Sequence, residues 1–564
     1  MPGCYNSGLG LGGKVEHAAG QARLGADNKA AGSGKKVWRR RAGWALSALA
    51  SVNLAACTPG PTRYAGDLFQ IENFAGGVVA DEPRAALVGR DVIAAGGNAA
   101  DAMVAMYFAM SVTMPSAASL GGGGVCVAHK VEKGNKITNN LIDFLPRAAA
   151  GGQVAIPGNV RGMAALWAGF GNKPWAQLVA PSENLALQGT PVSRSLATDI
   201  AAAGDILRND PQLAAMFVQA DSKLSTSGDN LRQTQLATIL GLIRARGAGE
   251  FYAGPLAQRI VDGAQAAGAP LTLDDLRKFK AVMAAPLQVP FGDQTIYLPQ
   301  PPAAGGISVA QMVTILQNAD ADRASLLADA SMRVMADRSN WIKLGGDSMT
   351  DAADLVSRNH TDQLMASYQS GHASNPTTLT PPAQDLLENP WSVSAVSVDR
   401  QGMAVVCSFT MNALFGAGHM AGDTGIILAP APNTQGAGFS ALAPVIVANQ
   451  HNGELYFAAS AGGGMPGALA EAAVLVKTMS GKAALDQALQ APRVFHNGQP
   501  DKAFAEASTD AATLSSMGYQ AETREPLGVV NAVICANGAP SHIDKCVMHN
   551  DFRANGLSSL FSSH

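Results

Sequence analysis

NPWSVSAVSVDRQGMAVVCSFTMNALFGAG, residues 389 to 418, decides the fold. Ser392 heads an alternating run, SVSAVSV. The turn residues Asp399-Arg400-Gln401-Gly402 interrupt it, and MAVVCSF resumes it. Period-two alternation on both sides of a Gly-bearing turn predicts an antiparallel hairpin. Asn412 and a Gly-rich bend follow. The sequence sets a small hydroxyl residue at the head of this strand, three residues after Asn389 of an Asn-Pro pair, and the position calls for a chemical explanation.

The β texture continues downstream. APVIVA (443–448) and ELYFAAS (454–460) are joined by the turn QHNG, and AGGGMPGALAEAAVLVKTM then reads as a helix. Upstream, Gly77 to Ala80 reads as a short strand and Pro83 to Ala95 as a helix with Pro in its first turn. Asn98 caps the next helix, DAMVAMYFAMSV, with Asp101 in the first turn. That helix is apolar on nearly every side, so it should be buried. LGGGG (120–124) leads into VCVAHK. With no following Lys-Ser/Thr, close backbone approach explains these glycines better than phosphate binding does. The middle, 157 to 390, reads as largely helical, and Thr272 caps a helix that opens with two Asp.

The chain has 564 residues, a net charge of −3, 47% hydrophobic and 15% charged residues. This is a globular composition with ample material for a core, and the near-neutral charge argues against nucleic acid as a partner. KKVWRRR (35–41), the apolar run 42–56 and Cys57 read as an export signal too short to span a membrane. Leu54-Ala55-Ala56-Cys57 resembles a bacterial lipobox, in which Cys57 becomes the lipidated first residue. Ordinary cleavage with a free cysteine left over is the alternative. The basic cluster lies far from Met1, which places the true start near Val37. Cys535 and Cys546 flank a turn-rich stretch and read either as a disulfide across a hairpin or as two buried thiols. There is no CxxC or HExxH, so no metal site and no cofactor are expected.

The order of landmarks resembles the gamma-glutamyltranspeptidase (glutathione hydrolase) family. The stretches that carry the resemblance are GGVVADEPRAALVGRDVIAAGGNAADAMVA, SLGGGG, AIPGNVRGMAALW, FYAGPLAQRIV with LTLDDL, LPQPPAAGGIS, ADRSN, the hairpin 398–418, SAGGGMPG, APRVFH and NDFRANG. They span most of 75 to 557. The resemblance implies an α+β fold, the four-layer αββα sandwich of N-terminal-nucleophile hydrolases, with two stacked antiparallel sheets flanked by helices. It also implies a precursor that cuts itself in two. The regions are then 1–57 extension and signal, 58–74 tether, 75–391 large subunit and 392–564 small subunit.

On that resemblance the cut falls between Trp391 and Ser392, and Ser392 takes the place of the family's nucleophilic Thr. An N-terminal hydroxyl residue carries its own base, because the α-amine takes the hydroxyl proton. Thr410 matches the Thr that hydrogen-bonds the nucleophile, and Asn412 a substrate-contacting Asn. Gly462 and Gly463 match the backbone donors of the oxyanion hole, a feature worth roughly 3–4 kcal/mol per donor. The partners implied are a small gamma-glutamyl or other amide with water or an amine as acceptor, in an exported, periplasmic, lipid-anchored enzyme.

The substrate side departs from the family. Its Asp-Phe-Arg clamp reads Asp143-Phe144-Leu145, and Leu cannot replace a bidentate Arg. Arg147, two residues on, could substitute only with a changed loop. The segment that carries the amine-gripping Asp reads Ala429-Pro430-Ala431-Pro432-Asn433-Thr434. The Ser-Ser pair reads Ser440-Ala441, so Ser440 alone keeps a hydroxyl. Three readings follow: a gamma-glutamyl amide enzyme, an amidohydrolase for another amide, and an uncut envelope protein without activity.

Overall fold

Strand parity builds three apolar layers. A computed structural model describes residues 74–562 except 133, 135, 318, 320–322, 344, 380–389, 433–438 and 440. Seven strands form the first sheet, in the order 557–562, 74–80, 392–399, 404–410, 123–132, 136–144, 282–284. Six form the second, in the order 546–549, 529–539, 455–462, 445–448, 294–298, 287–291. Every pairing within these two sheets is antiparallel.

Successive side chains on a strand face opposite ways. Val78, Ala80, Cys126, Ala128, Val405 and Cys407 pack outward with the helix Ala99–Thr113. Their neighbours Val79, Val125, Val127, Val396, Val398 and Val406 pack inward with Ile446, Ala458 and Val533 of the second sheet. Ile296, Leu298, Val445, Val447, Phe457 and Ala459 face the other side, with the helices Gly305–Leu316 and Gly464–Met479. The result is the four-layer αββα sandwich. All fifteen residues of Ala99–Thr113 are buried, and Asn98 and Asp101 close a reciprocal capping box.

The middle of the chain is less helical than the sequence suggests. Val282–Ala284, Leu287–Phe291 and Gln294–Leu298 are strands, the last two a hairpin. The alternation of LQVPFGDQTIYL around Gly292-Asp293 is the signal for it. The GGGG run is a site of close backbone approach. A Cβ on Gly121, Gly122, Gly123 or Gly124 would lie 2.1–2.4 Å from a neighbouring carbonyl oxygen.

The stretches on either side of Ser392 share both sheets. The strand from Ser392 lies between 74–80 and 404–410, and 557–562 pairs with 74–80. Two disulfides join neighbouring strands at directly opposed positions, Cys126–Cys407 and Cys535–Cys546. The second settles the alternatives left by the sequence. The first joins residues 281 apart, a pairing that only the sheet reveals.

Candidate active site

The inter-sheet layer turns polar at one end. Continuing the inward parity of Val396 and Val398 back along the strand gives Ser394 and Ser392. On the neighbouring strands the same parity gives Ser408, Thr410, Ser460, Asn531 and Asp81. Ser408 and Ser460 bridge the two sheets, their hydroxyls 2.7 Å apart.

Register brings Ser392 to Thr410. The Asp399 carboxylate accepts from the Gln401 and Met403 amides at 2.9 and 3.2 Å, and from Ala99 N at 3.1 Å. This pins the turn to the start of the buried helix. Gly402, at φ +76°, completes the turn. With the turn fixed, Thr410 stands directly opposite Ser392. A slip of one residue would turn one of the two hydroxyls to the other face.

Thr410 Oγ1 donates to the Trp391 carbonyl oxygen at 3.1 Å and accepts from Asn412 N at 2.9 Å. Asn412 is buried, has φ +60°, and donates through Nδ2 to Pro430 O at 3.0 Å. Its carboxamide oxygen is buried with no hydrogen-bond partner among the described residues. Gly463 N donates to the Pro390 carbonyl at 3.1 Å. Gly463 sits at φ +93°, and a Cβ there would lie 2.6 Å from Gly528 Cα; one on Gly462 would lie 2.9 Å from the Ser392 carbonyl oxygen. The strand-to-helix corner at Gly462 and Gly463 therefore favours glycine.

Trp391, Ser392, Gly462 and Gly463 line a cavity of about 640 Å³. Its walls include Met114, Met335, Phe495, Phe504 and Leu527, and its charged lining residues are Asp81, Asp199, Arg524 and Arg553. Sequence reasoning missed Asp81 and Asn531. Asp81 accepts from Ser394 N and Asn531 Nδ2, both at 2.7 Å, and from Ser394 Oγ at 3.1 Å. Burial nevertheless pushes its carboxyl up to about 6. Burial likewise raises Asp199 to about 6, against one hydrogen bond from Ser116 at 2.6 Å. The legible signal was a polar residue at inward parity: Asp81 after GGVVA, and Asn531 in VVNAVIC.

APRVFH and NDFRANG, to which the sequence assigned no role, meet in a buried ion cluster. Arg493 pairs with Asp551, and Arg553 with Asp551 and Glu506. Asp551 also accepts from Val530 N at 2.8 Å, and Arg493 donates to Gly528 O at 2.5 Å. The cluster thus anchors the backbone that packs on Gly463.

The substrate-side residues lie elsewhere. Leu145 is fully buried in the inter-sheet core. Arg147 is ion-paired with Asp143 at 2.6 Å and does not line the cavity. Cys57, Thr434 and Ser440 lie outside the described residues. Among the described residues no helix is long and apolar enough to cross a membrane.

The layers and the Gly-cornered polar end define an N-terminal-nucleophile hydrolase fold. A cephalosporin acylase from Bacillus halodurans superposes with a TM-score of 0.74 at 20% identity, over 90% of this chain and 99% of that one. The family model described as Gamma-glutamyltranspeptidase matches residues 85–559, so the chain belongs to that family. The chain is 27% identical to the glutathione hydrolase proenzyme of Escherichia coli (strain K12), over 88% of this chain and 95% of that protein. It is 28% identical to the Acylase ACY 1 proenzyme of Pseudomonas sp. (strain V22), over 75% and 83% respectively.

Proposed function

We propose that the protein is a self-processing amide hydrolase or acyltransferase with Ser392 as nucleophile. The observation that carries this reading is the grip on the bond before Ser392. Thr410 Oγ1 polarises the Trp391 carbonyl, while Gly463 N holds the carbonyl of Pro390. In the first step Ser392 Oγ attacks the Trp391 carbonyl carbon. The Oγ proton ends on the departing nitrogen, leaving Trp391 esterified to Ser392. Water then cleaves the ester, releasing the Trp391 carboxylate and a free α-amine on Ser392. The large (75–391) and small (392–564) chains stay together as a heterodimer through their shared sheets.

In turnover the α-amine takes the Oγ proton as Oγ attacks a substrate amide. The oxyanion falls to the N–H groups of Gly462 and Gly463, the latter released from Pro390 by the cut. The leaving amine takes the proton, and water or an amine then accepts the acyl group. Asn412 is fully buried and does not line the cavity of the uncut chain, so the cut before Ser392 would have to expose its carboxamide oxygen before it could accept from a substrate N–H.

Family membership puts gamma-glutamyl amides, glutathione among them, first as a substrate class. A second reading, a non-glutamyl amide, is favoured by Leu145 in the core and Arg147 spent on Asp143. A relative named as an acylase is consistent with it. The export signal and Cys57 support a lipid-anchored periplasmic location; Cys57→Ser should abolish partition into detergent.

The test is intact mass and N-terminal sequencing of residues 58–564 beside Ser392→Ala. A fragment beginning Ser-Val-Ser-Ala-Val, absent from the variant, is expected. A single uncut chain in both samples overturns the mechanism and favours a binding role.

A further inference from the structure

The four charged residues that line the cavity are not equivalent. Asp81 is saturated by Ser394 and Asn531, and Asp199 is engaged by Ser116. Arg553 spends its guanidinium on Glu506, Asp551 and the carbonyls of Leu489 and Ala491. Arg524 differs. Among the described residues its guanidinium has no hydrogen bond or ion pair, although its backbone N–H is fixed to Ala505 O at 3.0 Å. The nearby Glu522, whose pKa its charge helps to lower, is already bonded to Lys502 at 2.6 Å.

Arg524 is an exposed residue whose backbone is held in place. It directly follows the strand Ala521–Thr523, which pairs in parallel with Ala503–Ala505. Its guanidinium carbon lies 5.0 Å from the centre of the Phe504 ring. This cation–π contact leaves the N–H groups of the guanidinium available to a carboxylate. The cavity beside it is walled by Met114, Met335, Phe495, Phe504 and Leu527 and reaches Ser392.

We infer that Arg524 is the specificity residue of this site, binding the carboxylate of a substrate whose aryl or alkyl body fills the cavity beside Ser392. This rests on the proposed Ser392 reading and names its substrate class: an amide bearing an apolar body and an acid group. The carboxylate clamp has moved to a different element from Leu145 and Arg147. An apolar body suits the Met114, Met335, Met465, Phe495, Phe504 and Leu527 side chains of the wall.

The test uses 4-phenylbutyrate and its neutral isostere 4-phenylbutanamide as probes. Each is titrated by calorimetry into the wild type, Arg524→Met and Arg524→Lys. The wild type should bind the acid at least about fivefold more tightly than the amide, the scale of a partly exposed charge-assisted pair. Arg524→Met should erase the preference, Arg524→Lys should restore part of it, and amide binding should stay level. Equal binding of acid and amide, a preference that survives Arg524→Met, or no binding of either probe overturns the inference. L-glutamate binding as tightly as 4-phenylbutyrate overturns its apolar half. A reducing gel of the same samples separates the two readings. A cut chain without acid preference fails this inference alone, and an uncut chain with acid preference fails only the nucleophile assignment.

Discussion

Ser392 opens one interior strand of the first sheet and Leu145 follows the end of another; both stretches carry family motifs, yet they meet opposite fates. At Ser392 the hydroxyls, the Asn412 turn and the glycine corner converge on one peptide bond. At Leu145 the matching position points into the inter-sheet core and packs as hydrocarbon. A reaction centre tolerates few changes because its groups must share one geometry. A recognition group can be replaced from another element, provided the new charge reaches the same space.

The largest effect should come from forcing the family residue back. Leu145→Arg places a guanidinium in a fully buried site and should cost about 3–5 kcal/mol by denaturant unfolding, without glutathione hydrolysis. A stable variant that gains glutathione turnover would show that this loop can reach the cavity, and would erase the contrast. At the other end, Thr410→Val keeps the strand but removes the donor to Trp391. Self-cleavage followed on reducing gels should slow about a hundredfold, the scale of one lost oxyanion donor; an unchanged rate would strip Thr410 of that role.

The disulfides sharpen the comparison differently. Cys126 lies before the cut and Cys407 after it, so a cut chain should run as one band without reductant and two with it. Cys407→Ser should release two bands under both conditions and cost about 2–4 kcal/mol of stability. Two bands from the cut wild type without reductant would show that the cysteines are not paired.

The cavity carboxylates give a pH signature. Burial holds Asp199 at about 6 against 3.8 unfolded. Between those values the folded chain keeps a proton that the unfolded chain has lost, so stability falls as pH rises from about 4 through about 6. Asp199→Asn should remove up to about 3 kcal/mol of that fall, measured as a flatter unfolding-midpoint profile. An unchanged profile would place the titration elsewhere. The smallest effect belongs to Arg147→Ala. Its partly exposed pair with Asp143 should contribute less than about 1 kcal/mol, and the variant should keep any amidase activity. A large loss of substrate affinity would return Arg147 to the binding site.

Much of this was legible in residues 389–418. SVSAVSV-DRQG-MAVVCSF carries its own hairpin register, and that register alone brings Ser392 to Thr410. The capping box of Asn98 and the apolar helix after it were equally local. The hairpin 287–298 was overlooked although its alternation was present. Asp81, Asn531 and the Arg493–Asp551–Arg553–Glu506 cluster showed only as polar residues in apolar strands or as unassigned motifs. Their partners lie far away in sequence, Asn531 being 450 residues from Asp81.

Local order in the chain was enough for the strand parity, the turn, the glycine corner and the family, because each depends on neighbours within a few residues. The sandwich decided which polar residues share the end of the inter-sheet layer and that Cys126 meets Cys407. It also decided that Leu145 is core while Arg524 faces the cavity. Those outcomes depend on which strands and loops become neighbours in space, and burial and pairing energies act on distances that sequence spacing does not contain.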